Sequence, residues 1–231
     1  NRDATGPLRR GVGVASGWYG CGNTSLPNPS TIKAGIRADG AIVLHQGAMD
    51  IGQGANTVIT QIFATALGVP VAGIGLIGPD TDLTPDAGKT SASRQTFVSG
   101  NAARLCGAAL RAEVLRAVNA SDQALLSVAD GAITVDDGAS RHRIALGPLA
   151  ADGDGYVFAA SGPYDPPTKP LDENGQGEPY AQFGYAAQLA VAEVDTRLGT
   201  VRLLRLVAAH DVGLAVNPML VEGQIQGGVA Q

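Results

Sequence analysis

The 231 residues suffice for one large core or two smaller ones, and 45% apolar with 16% charged residues excludes a disordered chain. A formal net charge of −5, with Lys and Arg scattered, excludes a nucleic-acid surface. No apolar run approaches a membrane span, and the opening NRDATGPLRRG is no signal peptide; it lacks an initial methionine, as a subunit fragment or processed chain would.

In chain order, KAGIRADGAIVLHQGAM (33–49) predicts a β-hairpin, with Ile36, Ile42 and Leu44 in alternation and Asp39-Gly40 at the turn. Val58, Ile59, Ile62, Phe63, Ala66 and Leu67 then recur at helical spacing, and Gly68 and Pro70 stop the helix. AGIGLIG (72–78) predicts a short strand, and residues 79–96 are polar and irregular. Val98, Ala102, Leu105, Cys106, Ala109 and Leu110 mark a long Ala-rich helix, followed by short strands around ALLSVADGAITV and HRIAL. Pro148, Pro163, Pro166, Pro167, Pro170 and Pro179 crowd into 147–182, which predicts a connector between two lobes. A second hairpin follows, with Leu189, Val191 and Val194 on one strand, Val201, Leu203 and Leu206 on the other, and its turn at Asp195 to Thr200. Asn217 as N-cap and Pro218 at the first position then start a helix carrying Val221, Ile225, Gly228 and Val229 on one face. The expected fold class is α+β, mostly antiparallel hairpins with packed helices. It divides into a first lobe (1–146), a connector (147–182) and a second lobe (183–231).

Three polar loops stand at predicted helix mouths. Gly52-Gln53-Gly54 opens the first helix, Thr90-Ser91-Ala92-Ser93-Arg94-Gln95-Thr96 the second, and Gly223-Gln224 lies on the first turns of the third. Helix N-termini carry unpaired N–H donors and positive potential, which suits phosphate. Small residues let a ligand touch backbone, while hydroxyls and glutamine amides read the edge of a polar heterocycle. Each loop alone is also what an ordinary turn or cap looks like. The three loops are not a dinucleotide fingerprint, which needs GxGxxG opening the helix of a βαβ unit, and no GxxxxGK[ST] occurs, so together they point to a phosphorylated heterocycle and no further.

Other polar residues carry less. His45, His142 and His210-Asp211 are too few and scattered for a His–Asp metal site, and structural hydrogen bonding accounts for them. Asp80, Asp82 and Asp86 lack the spacing of a calcium loop. Arg94 suits either phosphate or a neighbouring carboxylate, with the cofactor role favoured by its loop. Trp18 and Tyr19 are expected in a core or an interface. Cys21 and Cys106 make no zinc or iron–sulfur set and read as reduced packing residues, which fits a cytoplasmic protein.

The segments GAMDIGQGANTVITQIFATALGV, DTDLTPDAGKTSASRQTFVSGNA and AAHDVGLAVNPMLVEGQIQGGVAQ together resemble the molybdenum-binding subunit of the xanthine dehydrogenase and aldehyde oxidoreductase family. The resemblance implies a molybdenum hydroxylase, in which a pyranopterin cofactor (molybdopterin or its cytosine dinucleotide form) holds the metal through its own sulfurs. By position it implies that Gly52, Gln53 and Gly54 line the cofactor near the metal. Thr90 and Ser91, Ala92, Ser93, Arg94, Gln95 and Thr96 would wrap pterin and phosphate, and Gln224 would hydrogen-bond the pterin. It further implies oxidative hydroxylation of an aldehyde or N-heterocycle, with water as oxygen source. Electrons would leave to iron–sulfur clusters and FAD on partner domains or chains. The family's general-base glutamate lies in a Gly-Glu-Pro-like loop after the last helix, whereas Glu178-Pro179 here reads as a solvated loop. The chain is therefore expected to be the C-terminal portion of a molybdenum subunit, needing the remainder of that subunit to act on a small-molecule substrate. The rival reading is a non-catalytic structural or interface module that keeps the scaffold without the cofactor.

Overall fold

The structure, a computed structural model, describes residues 5–22 and 26–231; residues 1–4 of the N-terminal stretch lie outside it. It divides into two units. The smaller joins the described residues up to Gly20 with Gln182–Gln231, and the larger comprises the described residues of Cys21–Ala181.

The smaller unit opens with β1 (Leu8–Gly20). In the larger unit β2 (Ser30–Arg37) and β3 (Ile42–Gln46) form the expected hairpin, with Gly40 at φ 92° in the turn. α1 (Ala55–Leu67) then leads to β4 (Ile74–Ile77), which pairs with β3 in parallel. The rise from β3 through α1 to β4 is thus a β-α-β crossover inside an otherwise antiparallel sheet. It sets the Gly52-Gln53-Gly54 loop at the carboxyl end of β3, where α/β sheets usually receive ligands.

α2 (Gln95–Ala117) packs on α1 and across β2. β2 alternates Ile32, Ala34 and Ile36 inward, as period-2 geometry requires, and these meet Ile59, Phe63 and Leu67 of α1 and Ala102, Cys106 and Leu110 of α2. Each such buried aliphatic or aromatic side chain contributes about 1.5–3 kcal/mol. Gly107 lets the helices approach closely, because a Cβ there would lie 2.7 Å from the Phe63 carbonyl oxygen. β5 (Leu125–Ala129), β6 (Ala132–Asp136) and β7 (Arg141–Ala145) form a separate three-stranded meander. His142 lies on β7, the strand expected around HRIAL, and stands opposite Val135 of β6.

Residues 147–182 are more than a connector: they contain β8 (Tyr156–Tyr164), the edge strand beside β2 in the order β4-β3-β2-β8. Pro163 is tolerated because an edge strand needs no donor on its outer side. Gly162 is required by contact, since a Cβ would lie 2.2 Å from the Ala102 carbonyl oxygen of α2.

In the smaller unit β1, β9 (Phe183–Asp195) and β10 (Thr200–Asp211) form an antiparallel sheet in that order. Glu193 stands opposite Arg10 and Arg202 and pairs with both at 2.9 Å. The Arg10 hydrogen bond first, and the Arg202 charge after it, hold this carboxyl below its usual range against partial burial. α3 (Pro218–Ala230) begins as expected, with Asn217 Oδ1 accepting from the Leu220 N–H at 3.2 Å. Trp18 and Tyr19 are 69% and 54% exposed on β1, which removes the core alternative for both. Residues 5–20 thus fall with the C-terminal hairpin rather than with the first lobe.

Candidate cofactor site

β3 ends on buried Gln46, whose Oε1 accepts from the Ala48 N–H at 2.8 Å while its Nε2 donates to Asn56 Oδ1. One amide therefore ties the end of the strand to the first turn of α1. The chain between them turns through Gly52 (φ 106°) and Gly54 (φ 83°), conformations that favour glycine. Asp50 organises the turn: its carboxylate accepts from the N–H groups of Gly52 (2.9 Å), Asn56 (3.0 Å) and Gly54 (3.2 Å). Partial burial raises the Asp50 pKa, yet the three donors outweigh it and the carboxyl sits below its ordinary value.

This alters the expectation for the first mouth. The N–H groups of Gly52 and Gly54 point at the chain's own carboxylate rather than at a bound anion. Gln53 folds back as well, its Oε1 accepting from the Ile51 N–H at 2.7 Å and its Nε2 donating to the Met49 carbonyl at 3.0 Å. Each bond uses one of two capacities, so the amide keeps one N–H and one lone pair for a ligand. Outward the loop presents Gly52, with nothing within 4 Å of where a Cβ would stand, and the exposed side chains of Met49 and Ile51. Such a surface suits a flat, neutral ring edge better than a phosphate.

The second mouth lies against the first. Thr90 Oγ1 accepts from the Met49 N–H at 3.0 Å and donates to the Met49 carbonyl at 3.1 Å. Behind it buried Gln95 donates from Nε2 to Thr90 Oγ1 (3.2 Å) and to the Lys89 carbonyl (2.9 Å). Ser99 donates to Gln95 Oε1 and stands 2.8 Å from Ser30 on β2. Ala92 and Ser93, both at φ 52°, make the tight turn that leaves Ser91, Ser93 and Thr96 exposed. α2 starts with no acidic residue in its first turn and no side-chain cap, so its N-terminal potential is not cancelled locally.

Arg94 departs from both of its expected roles. It is 1% exposed, and its guanidinium donates to the carbonyls of Asn28, Pro29, Ala87 and Lys89. It clamps two backbone segments, 28–29 and 87–89, through four carbonyls and offers no terminal nitrogen to phosphate or carboxylate, while its buried Nε has no partner among the described residues. Burial pulls this guanidinium below its ordinary pKa, with Asp86 and Asp165 opposing. Gly88 makes the approach possible, because a Cβ there would lie 2.7 Å from the guanidinium.

Gln224, the third expected contact, is exposed on α3 in the smaller unit. A hollow of about 660 Å³ in that unit, lined by residues including Trp18, Tyr185, His210 and Asp211, contains none of the expected cofactor residues. His45 is structural: Nδ1 donates to the Leu83 carbonyl at 2.9 Å and Nε2 accepts from Tyr156 Oη. Burial lowers its pKa ahead of every other cause. Among the described residues, no group of three His, Cys, Asp or Glu side chains could hold a metal ion. The exposed Glu178 is paired with Lys169 at 2.6 Å. Sequence reasoning missed Asp50, Gln46, Ser30 and Ser99. Of these Asp50 was signalled, because Asp two residues before a glycine in a turn commonly accepts that N–H.

The chain's likeness to known proteins coincides with this geometry. The family model described as Molybdopterin cofactor-binding domain matches residues 1–231. The xanthine dehydrogenase molybdenum-binding subunit of Escherichia coli O157:H7 is 33% identical over 238 residues, covering 97% of this chain and 30% of that protein. The aldehyde oxidoreductase of Megalodesulfovibrio gigas is 28% identical over 236 residues, covering 100% of this chain and 23% of its own length. The crystal structure of the aldehyde oxidoreductase from Desulfovibrio desulfuricans superposes with a TM-score of 0.77 at 29% identity, again over 100% of this chain and 23% of that one. The chain thus spans less than a third of the relatives it matches. Family model, relatives and fold agree: the chain belongs to the molybdopterin cofactor-binding domain of the xanthine dehydrogenase and aldehyde oxidoreductase family.

Proposed function

We propose that this chain supplies part of the pyranopterin cradle of a molybdenum hydroxylase that oxidises an aldehyde or N-heterocycle, taking oxygen from water. The observation that carries this reading is the clasp between Met49 and Thr90. It joins the glycine loop and the hydroxyl-bearing turn into one surface. Open space over Gly52, the free half of the Gln53 amide and the exposed hydroxyls of Ser91, Ser93 and Thr96 fit a flat, phosphorylated ring system.

When bound, the cofactor supplies the two-electron oxidation of the substrate carbon; the protein's part is to hold and orient it. The first mouth, its potential already neutralised by Asp50, takes the ring edge through Gln53 and the glycine backbone of Gly52 and Gly54. The uncapped mouth of α2 takes the phosphate, with Ser91, Ser93 and Thr96 as donors and the Ala92 turn in contact. Gln95 and Arg94 stand behind this surface and hold its backbone in place. The substrate pocket, the general-base glutamate, the iron–sulfur clusters and FAD belong to the remainder of the subunit and its partners, in the cytoplasm.

The test is metal and pterin analysis of the full-length subunit purified with its partners. Close to one molybdenum and one pterin per chain are expected. A correctly assembled complex without molybdenum would leave the chain a non-catalytic module on the same scaffold.

A further inference from the structure

The Thr90 hydroxyl has one proton and two lone pairs, and all three are engaged. Its proton goes to the Met49 carbonyl (3.1 Å), and its lone pairs take the Met49 N–H (3.0 Å) and the Gln95 amide (3.2 Å). A hydroxyl saturated in this way has nothing left for a ligand. Instead it reproduces, from a side chain, the paired N–H and C=O exchange that one strand makes with another.

What stands behind Thr90 is directional. Ser99 gives its proton to Gln95 Oε1, so in the 2.8 Å Ser30–Ser99 contact Ser30 must be the donor. The order is Ser30 to Ser99, Gln95 to Thr90, and Thr90 to Met49, with Gln95 also anchored on the Lys89 carbonyl. Ser30 and Ser99 are fully buried, and Ser30 is the first residue of β2, inside the four-stranded sheet. Moving Thr90 away would leave one N–H of the buried Gln95 amide unpaired, which is costly for a buried donor. The position of the Met49–Gly54 loop is thereby referred to the sheet through side chains.

We propose that Thr90 is a positioning residue of the cofactor site. It clasps the Met49–Gly54 loop to the Ser91–Ser93 turn, is braced by Gln95, Ser99 and Ser30, and does not itself touch the ligand. The proposal rests on the cofactor reading above. It adds that the two loops act as one unit, whose spacing is set by this hydroxyl.

The experiment uses the full-length subunit with its partners, as wild type, Thr90→Val, Thr90→Ser, Gln53→Ala and Thr90→Val/Gln53→Ala. Cofactor release is followed by pterin fluorescence, and amide hydrogen exchange is followed in cofactor-free protein. Thr90→Val is expected to release cofactor about tenfold faster, and Thr90→Ser to stay within about twofold of wild type. The double variant is expected to fall short of the product of the two single losses, because Thr90 acts through the loop that carries Gln53. In cofactor-free Thr90→Val the loss of exchange protection is expected to centre on residues 49–54. Three results would each overturn the proposal: unchanged release in Thr90→Val, a Thr90→Ser variant as poor as Thr90→Val, or losses that multiply. A wild-type complex without cofactor would instead defeat the functional reading itself, so the two failures are distinct.

Discussion

At the scale of single residues, Asp50 decides how the first helix mouth behaves. Three backbone donors converge on its carboxylate, so the loop carries its own anion and needs no ligand to satisfy them. Asp50→Ala is expected to cost about 1–2 kcal/mol in denaturant unfolding, comparable to losing a helix cap. Because the folded carboxyl sits below its ordinary value, its contribution is present above the unfolded value of 3.8 and fades as pH falls below it. The wild-type minus Asp50→Ala stability difference should therefore shrink on acidification from pH 5 toward about pH 3. A difference that stays constant across that range would mean the carboxylate is not what these donors hold. Arg94 makes a complementary point, since a basic residue in a polar loop invites a phosphate reading, yet four carbonyls consume this one.

At the scale of elements, two glycines set how closely helix and sheet approach. A Cβ at Gly162 would stand 2.2 Å from the Ala102 carbonyl oxygen and 2.4 Å from the Cys106 nitrogen, both backbone atoms of α2 that cannot swing aside. Gly162→Ala should lower unfolding free energy by about 3 kcal/mol, the upper part of the usual overpacking range. Gly52→Ala, with nothing within 4 Å, should cost only the strain of its positive φ, about 1 kcal/mol. Equal losses at the two positions would contradict the close packing of β8 on α2. Buried Cys106 belongs to the same contact, with its thiol pushed up to about 12 by burial. It should resist thiol reagents until α2 unfolds, whereas partly buried Cys21 should react sooner.

At the scale of the whole molecule, the smaller unit leaves much apolar surface uncovered. Val12, Val14, Val201, Leu203, Leu214 and Met219 are all more than half exposed, and α3 buries no residue. The 231-residue chain purified alone is expected to bind a hydrophobic dye, to self-associate and to carry no molybdenum; the longer subunit should do none of the first two. Stoichiometric cofactor in the isolated chain would mean that the cradle is self-sufficient. The elements with strong periodicity or explicit start and stop signals were legible in the order of residues: the β2–β3 and β9–β10 hairpins, α1 ending at Gly68, and α3 opening at Asn217-Pro218. So were the α+β class and the motifs of the family, because each depends on neighbours along the chain. β8 was not, since its small residues and Pro163 mean nothing until an edge position and a close helix are present. Nor was the inward use of Gln95 and Arg94, nor the saturation of Thr90. The bonds of Gln95 to Lys89, Thr90 and Ser99 are local but need the turn at Ala92 and Ser93 to form. Arg94 reaches the Asn28 and Pro29 carbonyls, Thr90 the Met49 backbone and Ser99 the Ser30 hydroxyl across long stretches of chain, and only folding brings them together.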